Sequence, residues 1–169
     1  MCSSDLTVTA TDVSDAALGI ATENRDAANL GDVVAFHAGS LFEAVPDDAD
    51  FDVIVSNPPY IAEVDEQTLH PEVRDWEPRD ALFAGEDGLD VIRGLVDGAA
   101  RHLRSGGLLA LEVGSGQART VAALLEAEAG YTAVRIERDH EGIERFVLAH
   151  GATDYDRASA EPGPSTGDA

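Results

Sequence analysis

Phe51-Asp52-Val53-Ile54-Val55-Ser56-Asn57-Pro58-Pro59-Tyr60 is the stretch on which the reading of this sequence turns. Its first six residues form a short β-rich apolar run of the kind that fills a buried strand. Two prolines then end any regular hydrogen bonding. Each fixes its own φ and lacks an N–H, and each pushes the residue before it into extended geometry. Carbonyl groups in the corner are therefore held stiffly, with no adjacent N–H competing for them. Asn57 adds a side-chain acceptor and an NH₂ donor, and Tyr60 adds a flat ring face. In an open α/β sheet, ligands bind beyond the carboxyl ends of strands, where this corner is expected.

Working outward, five more runs read as strands: Leu6 to Thr11, Val33 to Ala38, Leu108 to Val113, Ala133 to Arg138 and Glu144 to His150. Three helical patterns sit between them. The first is expected from Asp15 to Asn29, with Ser14 as N-cap and Gly31 past its end. The second runs from Leu89 to Leu103, with apolar residues at helical spacing and Gly106-Gly107 as its stop. The third runs from Gln117 to Ala129, stopped by Gly130. Alternation of strands and helices implies an α/β fold with a mostly parallel sheet covered on both faces. The last two strands have only residues 139–143 between them, so they should pair as an antiparallel hairpin. Residues 1–150 then form one domain, and residues 151–169 read as a disordered acidic tail. Residues 61–88 carry little periodicity, and so long a loop in a small domain is more often functional than not.

Composition narrows the function. Thirty-three Asp and Glu against 11 Arg, with no Lys, give a net charge of −22 over 169 residues. Such a surface repels phosphate backbones, so direct nucleic-acid binding is not expected. No apolar run reaches the roughly 20 residues of a membrane span, and no secretion signal is evident, which makes the cytoplasm the expected compartment. The single cysteine, Cys2, excludes an internal disulfide, and the five scattered histidines show no metal-ligand spacing, so no metal is expected.

The corner suits a planar NH₂ group. The Asn57 side-chain oxygen and the Pro58 carbonyl can each accept one of its hydrogens, which aims the nitrogen at an electrophilic carbon. An amide nitrogen is a poor nucleophile, so positioning must supply much of the acceleration. Asn-Pro-Pro-Tyr after a buried strand resembles the catalytic motif of amino-group methyltransferases, which include adenine-N6 nucleic-acid enzymes and glutamine-N5 protein enzymes. Three further segments narrow this. Pro71-Glu-Val-Arg-Asp-Trp-Glu-Pro-Arg79, Ala81-Leu-Phe-Ala-Gly-Glu-Asp-Gly-Leu89 and Leu108-Leu-Ala-Leu-Glu-Val-Gly114 with Gly116-Gln117 are similar to the release-factor glutamine methyltransferases. The likeness runs from about Val8 to Leu148.

That resemblance implies a class I methyltransferase fold, doubly wound and Rossmann-like, with S-adenosyl-L-methionine as methyl donor and a peptide chain release factor bearing Gly-Gly-Gln as substrate. By resemblance Asn57, Pro58, Pro59 and Tyr60 are the catalytic corner. Asp12 takes the ribose hydroxyls, Ser40 and Leu41 lie by the adenine, and Asn57 touches donor and substrate. Ser40 stands where the family usually has Asp. Trp76, Glu77 and Arg79 are expected to shape the substrate loop. The family's first strand and glycine-rich turn have no counterpart before Val8, so a chain truncated at its amino terminus and a sheet lacking its first strand are expected. Two rival readings are an adenine-N6 methyltransferase and an inactive fragment. A third would take Glu112-Val-Gly-Ser-Gly116 as the donor turn of a permuted enzyme.

Overall fold

The computed structural model describes residues 6–153; the tail expected at 151–169 lies almost wholly outside them. The chain divides into two compact units, residues 1–49 and 50–169. Expected strands and helices are all present, each within a few residues of its expected limits except one strand start.

In the first unit, β1 (Val8–Asp12) pairs in parallel with β2 (Val34–Ala38), with Asp12 opposite Ala38. Between them runs α1 (Asp15–Ala27). Ser14 caps it as expected, its Oγ accepting from the N–H of Ala17 at 3.2 Å. At the other end the expectation for Gly31 is not met. The helix closes at Ala28, and Asn29 takes the left-handed turn at φ 56°. Asparagine is one of the few side chains that tolerates this conformation.

In the second unit, β3 (Phe51–Ser56), β4 (Leu103–Glu112), β5 (Tyr131–Arg138) and β6 (Glu144–Gly151) form a sheet of order β3-β4-β6-β5. β3 and β4 are parallel, while β6 runs antiparallel to both β4 and β5. The expected hairpin of the last two strands is present. Its turn is closed by Asp139, whose carboxylate accepts from the N–H groups of Glu141 and Ile143. Among the described residues, β1 and β3 each have one hydrogen-bonded neighbour, and no ladder joins β1 or β2 to β3. The described strands thus form two separate ladders, one in each unit.

The core is one face of the four-stranded sheet. Leu109 and Leu111 of β4 and Val147 and Ala149 of β6 alternate along their strands and, with Val113 just past β4, are fully buried. They face α3 (Asp90–His102) and α4 (Ala118–Ala127), whose Ile92, Leu95, Val96, Ala99, Val121 and Leu125 are buried in turn. Val53 and Val55, on the other face of β3, are 55% and 72% exposed.

α3 ends within one residue of its expected limit, but the start of β4 departs from expectation. The helix stops at His102, and Leu103 turns to extended geometry to pair with Phe51. Pairing then resumes at Val53 with Leu108, so residues 104–107 bulge out of the ladder. Gly106-Gly107 shapes this bulge and does not end the helix. The Arg104 guanidinium pins it by donating to both carboxylate oxygens of Asp52 at 2.8 Å.

Residues 61–88 are more ordered than their sequence indicates. They hold 3₁₀ turns at Glu63–Thr68 and Arg79–Ala81 and a helix, α2 (Pro71–Trp76). Pro71 sits where a missing N–H costs nothing, and His70 Nδ1 accepts from the N–H of Glu72.

The buried face predicts a contrast. Leu111→Ala should lower unfolding free energy by about 3 kcal/mol, from lost transfer energy plus a cavity. Val55→Ala, on the open face, should cost well under about 1 kcal/mol. Urea titration of both variants would contradict this packing if their midpoints fell equally.

Candidate functional site

Two sets of residues implicated by the sequence sit at the carboxyl ends of parallel strands, one set in each unit.

In the first unit, Asp12 closes β1 and Gly39-Ser40-Leu41 follows β2. The Asp12 carbonyl accepts from the N–H of Gly39 at 3.1 Å. Thr11 Oγ1 donates to the Leu41 carbonyl at 2.9 Å, which ties the turn back to β1. Leu41 itself is held at φ 50°, unusual for a branched side chain. Asp12, Ser40 and Leu41 are therefore brought together. Asp12 is exposed, and its Oδ1 accepts from the N–H of Ser14 at 2.8 Å. The Asx turn seen there uses one oxygen and leaves Oδ2 for a hydroxyl pair. Thr11 was not singled out from the sequence, because a threonine in a strand carries no distinguishing signal.

In the second unit, Asn57 leaves β3 at the level where β4 ends, since Ser56 pairs with Leu111. Asn57 is exposed at a cleft of about 360 Å³ lined also by Val55, Ser56, Ala110, Leu111, Glu112 and Phe146. Pro58 is buried and Pro59 and Tyr60 are half-buried, all through trans peptides. Neither the Asn57 side-chain amide nor the Pro58 carbonyl is engaged by another described residue. Two acceptors are thus free on a stiff corner, as a planar NH₂ requires. Beyond it the chain is fastened on both sides. Ile61 exchanges hydrogen bonds with Leu82 and Ala84, and the N–H of Glu63 donates to the Gly85 carbonyl.

Arg79 serves that loop. It pairs with Glu66 and stacks over the Phe83 ring at 4.6 Å. Trp76 is 85% exposed. Glu112-Val-Gly-Ser-Gly116 forms the turn between β4 and α4, and the Gln117 side chain closes it by accepting from the N–H of Gly114 at 2.8 Å. Gln117 also supports the corner, its Nε2 donating to the Tyr60 carbonyl, and Arg145 supports the turn after β4. Arg145 Nη1 donates to the Val113 carbonyl and its Nε lies 3.5 Å from Asp139. Among the described residues no cluster of His, Cys, Asp or Glu is arranged to hold a metal ion.

The comparisons with known proteins bear on this pattern. A family model described as the methyltransferase small domain matches residues 2–72, from β1 through the corner and into the loop. Curated release factor glutamine methyltransferases align far beyond it. That of Deinococcus radiodurans is 49% identical over 145 residues, covering 86% of this chain and 50% of its own length. That of Gloeobacter violaceus is 46% identical over 144 residues, covering 85% and 50%.

The chain belongs to the release factor glutamine methyltransferase family.

It spans about half the length of the curated relatives it matches. Among solved structures, a methyltransferase from Pyrococcus furiosus superposes with a TM-score of 0.61 at 20% identity, over 87% of this chain and 64% of that one. A T. thermophilus 16S rRNA N2 G1207 methyltransferase in complex with AdoMet and guanosine gives 0.61 at 22% identity, over 87% and 32%. These likenesses establish the class I methyltransferase fold. They also leave no need for the permuted reading of Glu112–Gly116, because the release factor glutamine methyltransferases align with this chain in its own order. No helix among the described residues is long and apolar enough to cross a membrane.

Asp139 offers a test of the support behind the turn after β4. Hydrogen bonds from the N–H of Ile143, and then from Glu141 and Arg145, hold its carboxyl below the usual value of 3.8. A lowered native pKa contributes stability that is present above the unfolded value and lost as pH falls through the native one. The stability gap between the native chain and Asp139→Asn should therefore be constant from pH 7 to about 5 and close below 3.8. A gap independent of pH in chemical unfolding would show that the carboxylate charge contributes nothing.

Proposed function

We propose that this protein methylates the side-chain amide nitrogen of a glutamine in a peptide chain release factor, in its Gly-Gly-Gln segment, using S-adenosyl-L-methionine. One observation carries the reading: a diproline corner at the exit of β3 whose Asn57 amide and Pro58 carbonyl are both unclaimed. The names of the curated relatives support the substrate class.

The donor set fits. The second oxygen of Asp12 can accept from a ribose diol, and charge-assisted bonds of this kind are strong. Ser40 and Leu41, fixed beside Asp12 by the Thr11 bond, provide a hydroxyl and an apolar side chain for a planar base. When bound, S-adenosyl-L-methionine would supply a sulfonium methyl group; the amide nitrogen would bond to the methyl carbon as the carbon–sulfur bond breaks, with S-adenosylhomocysteine as leaving group and one amide proton passing to water. Asn57 Oδ1 and the Pro58 carbonyl accept the two N–H groups of the substrate amide. Pro59 keeps the carbonyl from rotating, and the Tyr60 ring packs on the amide plane. No side chain is needed as a base before attack, because the nitrogen becomes acidic only once it carries the methyl. The catalytic contribution of the corner is near-attack geometry.

The experiment is a tritiated-methyl transfer assay with a release factor, tRNA, rRNA and DNA as acceptors. Label should enter only the release factor, and changing the Gln of its Gly-Gly-Gln segment to Asn should abolish it. Label in nucleic acid and none in the release factor would replace this reading with adenine-N6 methylation, and label nowhere would favour an inactive chain. Asn57→Ala should lower kcat by about 100-fold or more, as expected when a positioned reactant loses its aim. Binding of S-adenosylhomocysteine, followed by calorimetry, should change much less.

A further inference from the structure

We propose that Gln117 is a positioning residue for the Asn57–Tyr60 corner. Its carboxamide sets the Tyr60 backbone and ring, and through them the aim of the Asn57 amide and Pro58 carbonyl. The inference rests on the methyl-transfer reading for its consequence in catalysis, but not for its structural content.

Gln117 precedes α4 and is half-buried. Its Nε2 donates to the Tyr60 carbonyl at 2.9 Å and approaches the Gly88 carbonyl at 3.4 Å, while its Oε1 accepts from the N–H of Gly114 at 2.8 Å. One carboxamide thus joins three chain segments: the exit of the corner, the residues before α3 and the end of β4. Only a group with two N–H donors and one acceptor, all in one plane, can serve the three at once. Glutamate could still accept from Gly114 but would face two carbonyl oxygens with negative charge. Methionine matches the length and offers no strong partner, and asparagine is one methylene short.

The surroundings are shaped for this contact. Gly88 lies at φ 73°, and a Cβ there would fall 2.4 Å from the Tyr60 carbonyl and 3.0 Å from Gln117 Nε2. A Cβ on Gly114 would fall 2.7 Å from Gln117 Oε1 and 3.0 Å from Tyr60 Cδ2. Two glycines therefore admit the glutamine amide and the tyrosine ring to the same small space. Because the Tyr60 carbonyl is gripped from this side, the two rigid residues before it inherit its orientation. Diproline stiffness alone fixes the shape of the corner; the glutamine fixes how that shape is mounted on the sheet.

The test has a spectroscopic arm and a kinetic arm. In nuclear magnetic resonance spectra of the native chain, the Gln117 side-chain NH₂ should exchange slowly with solvent and show contacts to Tyr60 and Gly88. Fast exchange without such contacts overturns the proposal, with no variant required. In Gln117→Met and Gln117→Glu, the Asn57 NH₂ and Tyr60 ring resonances should move while the Trp76 indole, exposed on α2, stays. Unmoved Asn57 and Tyr60 resonances in whichever variant folds overturn it equally. In the methyl-transfer assay, both variants should lose about tenfold or more in kcat with little change in KM for the donor. A fall in rate only in proportion to the unfolded fraction would make Gln117 a merely structural residue and defeat the proposal. If the native chain transfers no methyl group to a release factor, the functional reading fails while the spectroscopic arm still decides the placement of Gln117.

Discussion

The parallel pairing of β3 with β4 is the constraint on which the second unit depends. Ser56 opposite Leu111 brings the carboxyl ends of the two strands to the same level. From there the chains leave in different ways, one into Asn57-Pro58-Pro59-Tyr60 and the other into Glu112–Gly116. Side chains alternate across a strand, so a slip of one residue would turn Leu109 and Leu111 away from α3 and α4. It would also carry Gly114 and Gln117 out of reach of Tyr60. Core and corner are therefore registered by the same hydrogen bonds. The bulge at residues 104–107 lets β4 accommodate the abrupt end of α3 without disturbing this register, because regular pairing resumes at Leu108.

How much of this was legible follows from which contacts are local. Strands β4 to β6 could be read because each packs against a helix and carries an apolar pattern that no loop would need, and β3 because it is a short β-rich apolar run. Ser14 could be read because capping is decided within four residues. The start of β4 could not: Gly106-Gly107 reads as a helix stop, and only the distant partner Phe51 explains why Leu103 already pairs as a strand, five residues before the expected start at Leu108. Asn29 against Gly31 is a choice between two tolerable left-handed residues that the local sequence does not settle. The turns and short helix within 61–88 depend on Ile61 and Phe83 meeting across that segment, and on Arg79 reaching Glu66. In the candidate site, Asn57 through Tyr60 announced themselves because two consecutive prolines are rare and costly in a sheet. Asp12, Ser40 and Leu41 were singled out by resemblance alone, and the structure adds the Thr11 bond that ties the Leu41 turn back to β1. Gln117 appeared in the sequence only as one residue of a similar segment. Its contacts at 57 and 29 positions' separation are invisible to any local pattern.

The charge of −22 takes on meaning in the same structure. Every arginine among the described residues is within ion-pair distance of a carboxylate. Most of these pairs are exposed and contribute little to stability individually. Their consequence is for recognition: each guanidinium already faces an acid, so no cluster of unneutralised positive charge is presented by this part of the molecule. Binding to a phosphate backbone draws its strength from such clusters and from the counterions they release.

The corner by itself does not distinguish a glutamine amide from the exocyclic amino group of adenine, because both are planar and offer two N–H donors. Discrimination must come from what surrounds the corner. The segment between Ile61 and Gly88 holds nine acids, from Glu63 to Asp87, and two arginines. Arg74 is paired with Asp75 and Arg79 with Glu66. A polyanion brought within about 8 Å, the screening length at physiological salt, would meet that uncompensated charge before its base could reach Asn57. A basic or neutral peptide would not. On the proposed reading, long-range repulsion in the loop would set selectivity for a protein substrate, leaving the corner to fix only the geometry of the nitrogen.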